Sequence, residues 1–115
     1  MRQLTFGAAL AAIAASLAVP GLAPAATRNN PLIGTDGPGF TITMSKQTVK
    51  AGTYTIVIND KSNIHNFHLT GPGVNKLTSV PAVATTTWRV TLKKGTYRFV
   101  CDPHATIMKG VLRVT

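Results

Sequence analysis

Cys101-Asp102-Pro103-His104-Ala105-Thr106-Ile107-Met108 places a thiol, an imidazole and a thioether in one short run of sequence. A thiolate prefers Cu(I), imidazole serves either oxidation state of copper, and a thioether held further off gives a weak axial contact. Two histidines, one cysteine and a distant methionine make the donor set of a one-electron copper site, and this run holds three of the four. The remaining histidine has two candidates, His65 and His68.

Strand parity separates them. Ile64 to Thr70 reads as a strand, so His65 shares a face with Phe67 and Leu69 while His68 points the other way with Asn66. The apolar company marks the core side. His65 is the expected ligand, and His68 an expected solvent-facing strand residue. Met108 taken alone would suit a gap in the core; its place four residues after His104 makes it the axial candidate. Zinc fits less well, because a structural zinc site is closed by four strong donors. A catalytic zinc would want a base, and the chain has no Glu and no Asp where a base would be obvious, so no enzyme is expected. Asp102 is read as a loop residue bonded to nearby backbone. A two-copper centre would need a second Cys, and a multicopper oxidase many more than the three histidines present.

His65-Asn66, followed late in the chain by Cys-x-x-His-x-x-x-Met between two closing strands, resembles the cupredoxins of the plastocyanin and azurin type, over residues 32–115. The Cys-to-His spacing is that of plastocyanins and the His-to-Met spacing that of azurins, so the loop is intermediate. The resemblance implies a Greek-key β-sandwich of about seven to eight strands. It implies one type 1 copper ion on His65, Cys101 and His104 with Met108 axial, and Asn66 tying the two ligand loops together. It also implies electron transfer through the edge of His104 within an apolar collar of Ile64, Pro103, Ala105 and Ile107. A copper-delivery protein serving a client oxidase would use the same ligands, but a thiolate favours retention over release, which points to the carrier.

The elements that must hold these residues are short. From Leu32 onward, β-rich runs alternate with Gly, Pro, Asn and Asp, the pattern of an all-β sandwich, and helical periodicity is absent. Strands are expected at Leu32 to Thr35, Phe40 to Met44, Thr53 to Asn59, Ile64 to Thr70, Thr85 to Leu92, Thr96 to Cys101 and Lys109 to Thr115. Trp88, Val90 and Leu92 alternate with Arg89 and Thr91, which gives one core face and one wet face. Tyr97, Phe99 and Cys101 share a face, as do Met108, Gly110, Leu112 and Val114. Both closing strands therefore aim their site residues into the sandwich, and Pro103 stiffens the bend between them.

Met1-Arg2-Gln3 and the Ala-rich run from Leu4 to Val19 read as a secretory signal peptide over residues 1–25, cleaved after Ala25 or Ala26. The run is interrupted by Pro20 and is short for a membrane span, so no stable membrane insertion is expected afterwards, and the mature protein is placed in the periplasm or outside the cell. Residues 26–31 are read as a mobile leader and 32–115 as one copper-binding domain. Outside the cytoplasm disulfides are common, yet Cys101 is the single cysteine. A bound metal would protect it. The chain carries a formal charge of +9, from twelve Lys and Arg against three Asp, and loss of Arg2 leaves +8. A positive field steers acidic partners. The expected partner is an acidic redox protein, a cytochrome or a copper oxidase; nucleic acid is not expected, and a monomer is.

Overall fold

The computed structural model describes residues 25–115, so the expected signal peptide lies outside it except for Ala25. Nine strands follow: β1 Leu32–Asp36, β2 Ile42–Met44, β3 Thr48–Val49, β4 Gly52–Asp60, β5 His68–Gly71, β6 Val74–Leu77, β7 Thr85–Leu92, β8 Gly95–Val100 and β9 Lys109–Val114. They form two sheets, β2-β1-β4-β7 and β3-β9-β8-β5-β6. Most pairs are antiparallel, but β1 runs parallel to β4 and β3 parallel to β9. In both parallel pairs the chain crosses over before it returns to the same sheet.

Period-two alternation builds the core. β4 buries Gly52, Tyr54, Ile56, Ile58 and Asp60 and turns the intervening residues outward. β7 buries Trp88, Val90 and Leu92 against it, and the second sheet supplies Leu69, Tyr97, Phe99, Leu112 and Val114. Phe67 joins the layers, stacked on Phe99 at a centroid distance of 5.6 Å and edge-on to Trp88 at 6.4 Å. Gly110 permits this, because a Cβ there would overlap the Phe99 ring.

Nine strands replace the expected seven to eight because β3 and β6 are only two and four residues long. β3 has only two residues, paired to Arg113 and Val114; such pieces leave no hydrophobic period to read. The expected Ile64–Thr70 strand begins only at His68. A turn at Asn63–Ile64 interrupts it, and the Phe67 amide bonds the Thr78 hydroxyl (2.9 Å) in place of a neighbouring strand. The 26–31 segment is tied down in its first half: Thr53 N–H donates to the Ala26 carbonyl (2.8 Å) and Arg28 N–H to the Thr53 carbonyl (2.9 Å), while Asn29, Asn30 and Pro31 are exposed.

Register brings the ligand-bearing segments to one end. His68 pairs with Val100 and Val100 with Lys109, while Asp36 pairs with Asp60 where β1 and β4 finish. Asp36 and Asp60 are both buried, at 0 % and 5 % exposure. Burial first, then the hydrogen bond to Asp60 and its charge, push the Asp36 carboxyl up to about 7. Two neighbouring buried carboxyls cannot both ionise cheaply, so Asp36 keeps its proton. The folded protein holds this proton between the unfolded value of 3.8 and about 7, so the stabilisation is lost as pH rises through 7. Raising pH from about 6 to about 8 should lower Tm by several degrees, the effect of ~1 kcal/mol in a domain of this size. Asp36→Asn keeps the shape of the side chain and removes the titration. Thermal melts across that range should become flatter in the variant, and an unchanged slope would remove this pair as the cause.

Candidate metal centre

The Cys101–Met108 loop is drawn tight by its own backbone. Cys101 N–H donates to the Met108 carbonyl (3.0 Å), His104 N–H to the Cys101 carbonyl (3.0 Å), and Met108 N–H to the His104 carbonyl (2.8 Å). Asp102–His104 forms one 3-10 turn with Pro103 near its start. Cys101 closes the inward row of β8, as the alternation predicts, and Met108 precedes β9 on the same side; both are fully buried.

Three donor atoms converge. Cys101 Sγ lies 3.6 Å from His65 Nδ1 and 3.6 Å from His104 Nδ1, and the two nitrogens are 3.1 Å apart. The point equidistant from all three is about 2 Å from each, close to the ~2.0–2.1 Å of a bond from imidazole to a first-row metal. The cluster is His65, Cys101 and His104, the first two buried and the third half-buried. Thiolate plus two imidazoles, with a buried thioether next in the loop, fits copper chemically as well as geometrically. His65 Nε2, turned away from the cluster, is buried without a hydrogen-bond partner among the described residues.

His68 is elsewhere. Its Nδ1 lies 2.8 Å from Asp102 Oδ1 and its Nε2 2.7 Å from Asn75 Oδ1, so both nitrogens face acceptors, which suits the doubly protonated ring. Burial would lower its pKa, but the bonds to Asp102 and Asn75 and the Asp102 charge outweigh this and raise it above the ordinary value. Burial likewise works against the Asp102 carboxylate, yet the bonds from Asn66 and His68 and the His68 charge hold it below the usual range. His68 is thus half-buried and paired, where a solvent-facing residue was expected.

Asn66 departs from the strand-parity expectation. It is 1 % exposed, although parity had turned it outward with His68. Because residues 65–67 are loop, neighbouring side chains can all turn inward. Asn66 Oδ1 accepts from Asp102 N–H (2.8 Å), and its Nδ2 donates to Asp102 Oδ2 (2.8 Å) and to the Thr78 carbonyl (3.3 Å). The His65 loop and the Cys101 loop are locked together, as the resemblance implied. Asp102, expected to bond backbone, instead spends its carboxylate on the side chains of Asn66 and His68.

Phe40 was absent from the sequence-derived site. The structure sets its ring edge-on to His65 at 5.2 Å and to His104 at 5.0 Å, with over half its surface exposed. Placing Phe40 at a strand start hid this; strand β2 begins only at Ile42, and the Gly37-Pro38-Gly39 turn throws Phe40 over the cluster. Ile64, Pro103, Ala105 and Ile107 are all exposed at the same end.

The comparisons agree with this geometry. Residues 32–115 match the family described as copper binding proteins of the plastocyanin/azurin family. Amicyanin-alpha of Methylorubrum extorquens is 36 % identical over 117 aligned positions, covering 96 % of each chain. An NMR structure of reduced rusticyanin superposes with a TM-score of 0.59 at 20 % identity, covering 77 % of this chain and 80 % of that one. Auracyanin A, a "blue" copper protein from Chloroflexus aurantiacus, gives 0.50 at 18 % identity, covering 77 % of this chain and 98 % of its own. These two likenesses support the two-sheet fold, while the sequence match spans both loops of the donor cluster: this chain belongs to the plastocyanin/azurin family of copper-binding proteins.

Proposed function

We propose that this domain holds one copper ion on His65 Nδ1, Cys101 Sγ and His104 Nδ1, with Met108 as a weak axial donor, and acts as a one-electron carrier. The carrying observation is the donor triangle, whose three atoms share a point about 2 Å from each. Copper supplies the Cu(II)/Cu(I) couple. The chain supplies rigidity: the tight loop, Pro103 and the Asn66–Asp102 bonds keep the ligands in place when the charge changes, which limits reorganisation. Phe40 lies over the two histidines, and His104 is the one of the three donors that is not fully buried.

Export by residues 1–25, with 32–115 as the working domain, fits the apolar start of the chain. No helix among the described residues is long and apolar enough to cross a membrane. The proposed partner is an acidic redox protein, a cytochrome or copper oxidase, met by a monomer. Lys61 follows β4 and Lys109 opens β9, so both stand at the cluster's end, while Lys76 is one position further along β6. Transient redox interfaces are small, generally below ~1,200 Å², and complementary charge raises their encounter rate. Stopped-flow exchange with an acidic cytochrome should therefore be fast and should slow as added salt shortens the Debye length from ~30 Å to ~8 Å. Slow exchange with every such partner, together with ready passage of Cu(I) to an apo-oxidase domain, would replace the carrier with a delivery protein.

The axial assignment has its own test. Met108→Leu should keep the visible band while raising the reduction potential, because losing a weak donor penalises Cu(II) more than Cu(I). An unchanged potential, measured by spectroelectrochemistry, would return Met108 to the role of core filler.

A further inference from the structure

The cations of this protein are not gathered at its metal-binding end. Eleven of the twelve Lys and Arg fall within the described residues. Strand register places six of them at the opposite pole: Arg28 beside Thr53, Lys46 and Lys50 flanking β3, Lys93 and Lys94 in the β7–β8 hairpin, and Arg113 opposite Thr48. Arg28, Lys46 and Lys50 line one open groove of about 530 Å³ there. Lys93 and Lys94 lie at the tip of their hairpin, and all but half-buried Arg28 are exposed. No Asp side chain answers them. Asp36 and Asp60 are buried at the far ends of β1 and β4, and Asp102 is paired with His68 in the site loop.

Large exposed apolar side chains show the reverse distribution. Phe40, Ile64, Leu77, Val83 and Ile107 lie at the cluster's end, and Ile33 and Val111 at mid-strand. Among the described residues the basic pole has none. Protein interfaces are anchored by buried aromatic and aliphatic groups within a charged rim; this pole offers charge without an anchor. It is also where the chain enters the domain. Ala26 and Arg28 bond Thr53 at the start of β4 and hold the entering segment against this pole.

We propose that this pole seats on an anionic phospholipid surface and leaves the metal-binding end facing away, toward soluble redox partners. Each Lys or Arg near such a surface strengthens partitioning about five-fold, an effect confined to a Debye length. The attachment is peripheral and reversible, and it needs neither copper nor a redox partner, so its failure and that of the carrier reading are separate results.

Sedimentation with phospholipid vesicles tests it, using the copper-loaded protein as exported. Vesicles of phosphatidylcholine containing phosphatidylglycerol should bring the protein down, vesicles of phosphatidylcholine alone should not, and added salt should release it. Lys46→Gln with Lys50→Gln should weaken binding roughly 30-fold while the visible band stays unchanged, which reports an intact fold. Lys61→Gln with Lys109→Gln, at the other end, should weaken it by no more than about two-fold at physiological salt. Equal losses from both pairs would overturn the orientation. Binding without phosphatidylglycerol, no binding with it, or equally tight binding to soluble polyglutamate would overturn the lipid assignment.

Discussion

Cys101→Ser should erase the visible absorption of the oxidised protein, because the band arises from charge transfer between a thiolate and copper and a hydroxyl cannot supply it. This is the largest effect expected of any single change. The neighbourhood should survive, since the backbone bonds that close the loop at Cys101 and Met108 do not involve the sulfur. The variant should stay folded by circular dichroism and bind Cu(I) much more weakly, as a soft donor is lost. Its absorption spectrum with added Cu(II) is the measurement. A serine variant that remained blue would remove Cys101, and with it the donor triangle, from the site.

The second large effect separates two histidines only three positions apart. His65→Ala opens one corner of the triangle while leaving Cys101 and His104 at 3.6 Å, so the colour should be lost or shifted and partly restored by added imidazole entering the vacated space. His68→Ala should leave the band almost unchanged. Its expected consequence is in stability: the ion pair with Asp102 (2.8 Å) disappears. The raised His68 pKa means that this pair's contribution is present below the ordinary value of 6.5 and lost as pH rises through the higher folded one. The lowered Asp102 pKa means that it is also lost in acid, as pH falls through its depressed folded value. His68→Ala should therefore flatten thermal stability near neutrality without touching the spectrum. Asn66→Ala lies between the two cases. It removes the bonds that join the loops but no proposed ligand, and should weaken metal affinity roughly 10–100-fold, the usual cost of losing a group that orients ligands. Copper titrations of the three variants would rank them, and a spectrum altered by His68→Ala more than by His65→Ala would reverse the assignment.

Much of this arrangement was legible in the linear chain because it depends on local rules. The donor set is written in eight consecutive residues and one upstream histidine. Strands β4, β7, β8 and β9 follow from strict alternation, which is a property of neighbours two apart; that is why Trp88, Val90, Leu92, Tyr97, Phe99 and Leu112 are buried as read. The same rule misplaced Asn66. It assumes extended backbone, and residues 65–67 are a loop whose side chains all turn inward.

Only the tertiary structure decided what meets across the fold. Phe40 reaches His104 from a turn on the other sheet, Asn66 reaches Asp102 across 36 positions, His68 finds Asp102 across 34, and Asp36 finds Asp60 through parallel pairing. The division of charge between the two ends is of the same kind: composition counts the lysines and arginines, and strand register assigns each to a pole. A residue's type and its near neighbours determine which chemistry and which local geometry it can support. Burial, pKa and partnership depend on groups far away in sequence, whose positions exist only once the two sheets have closed on each other.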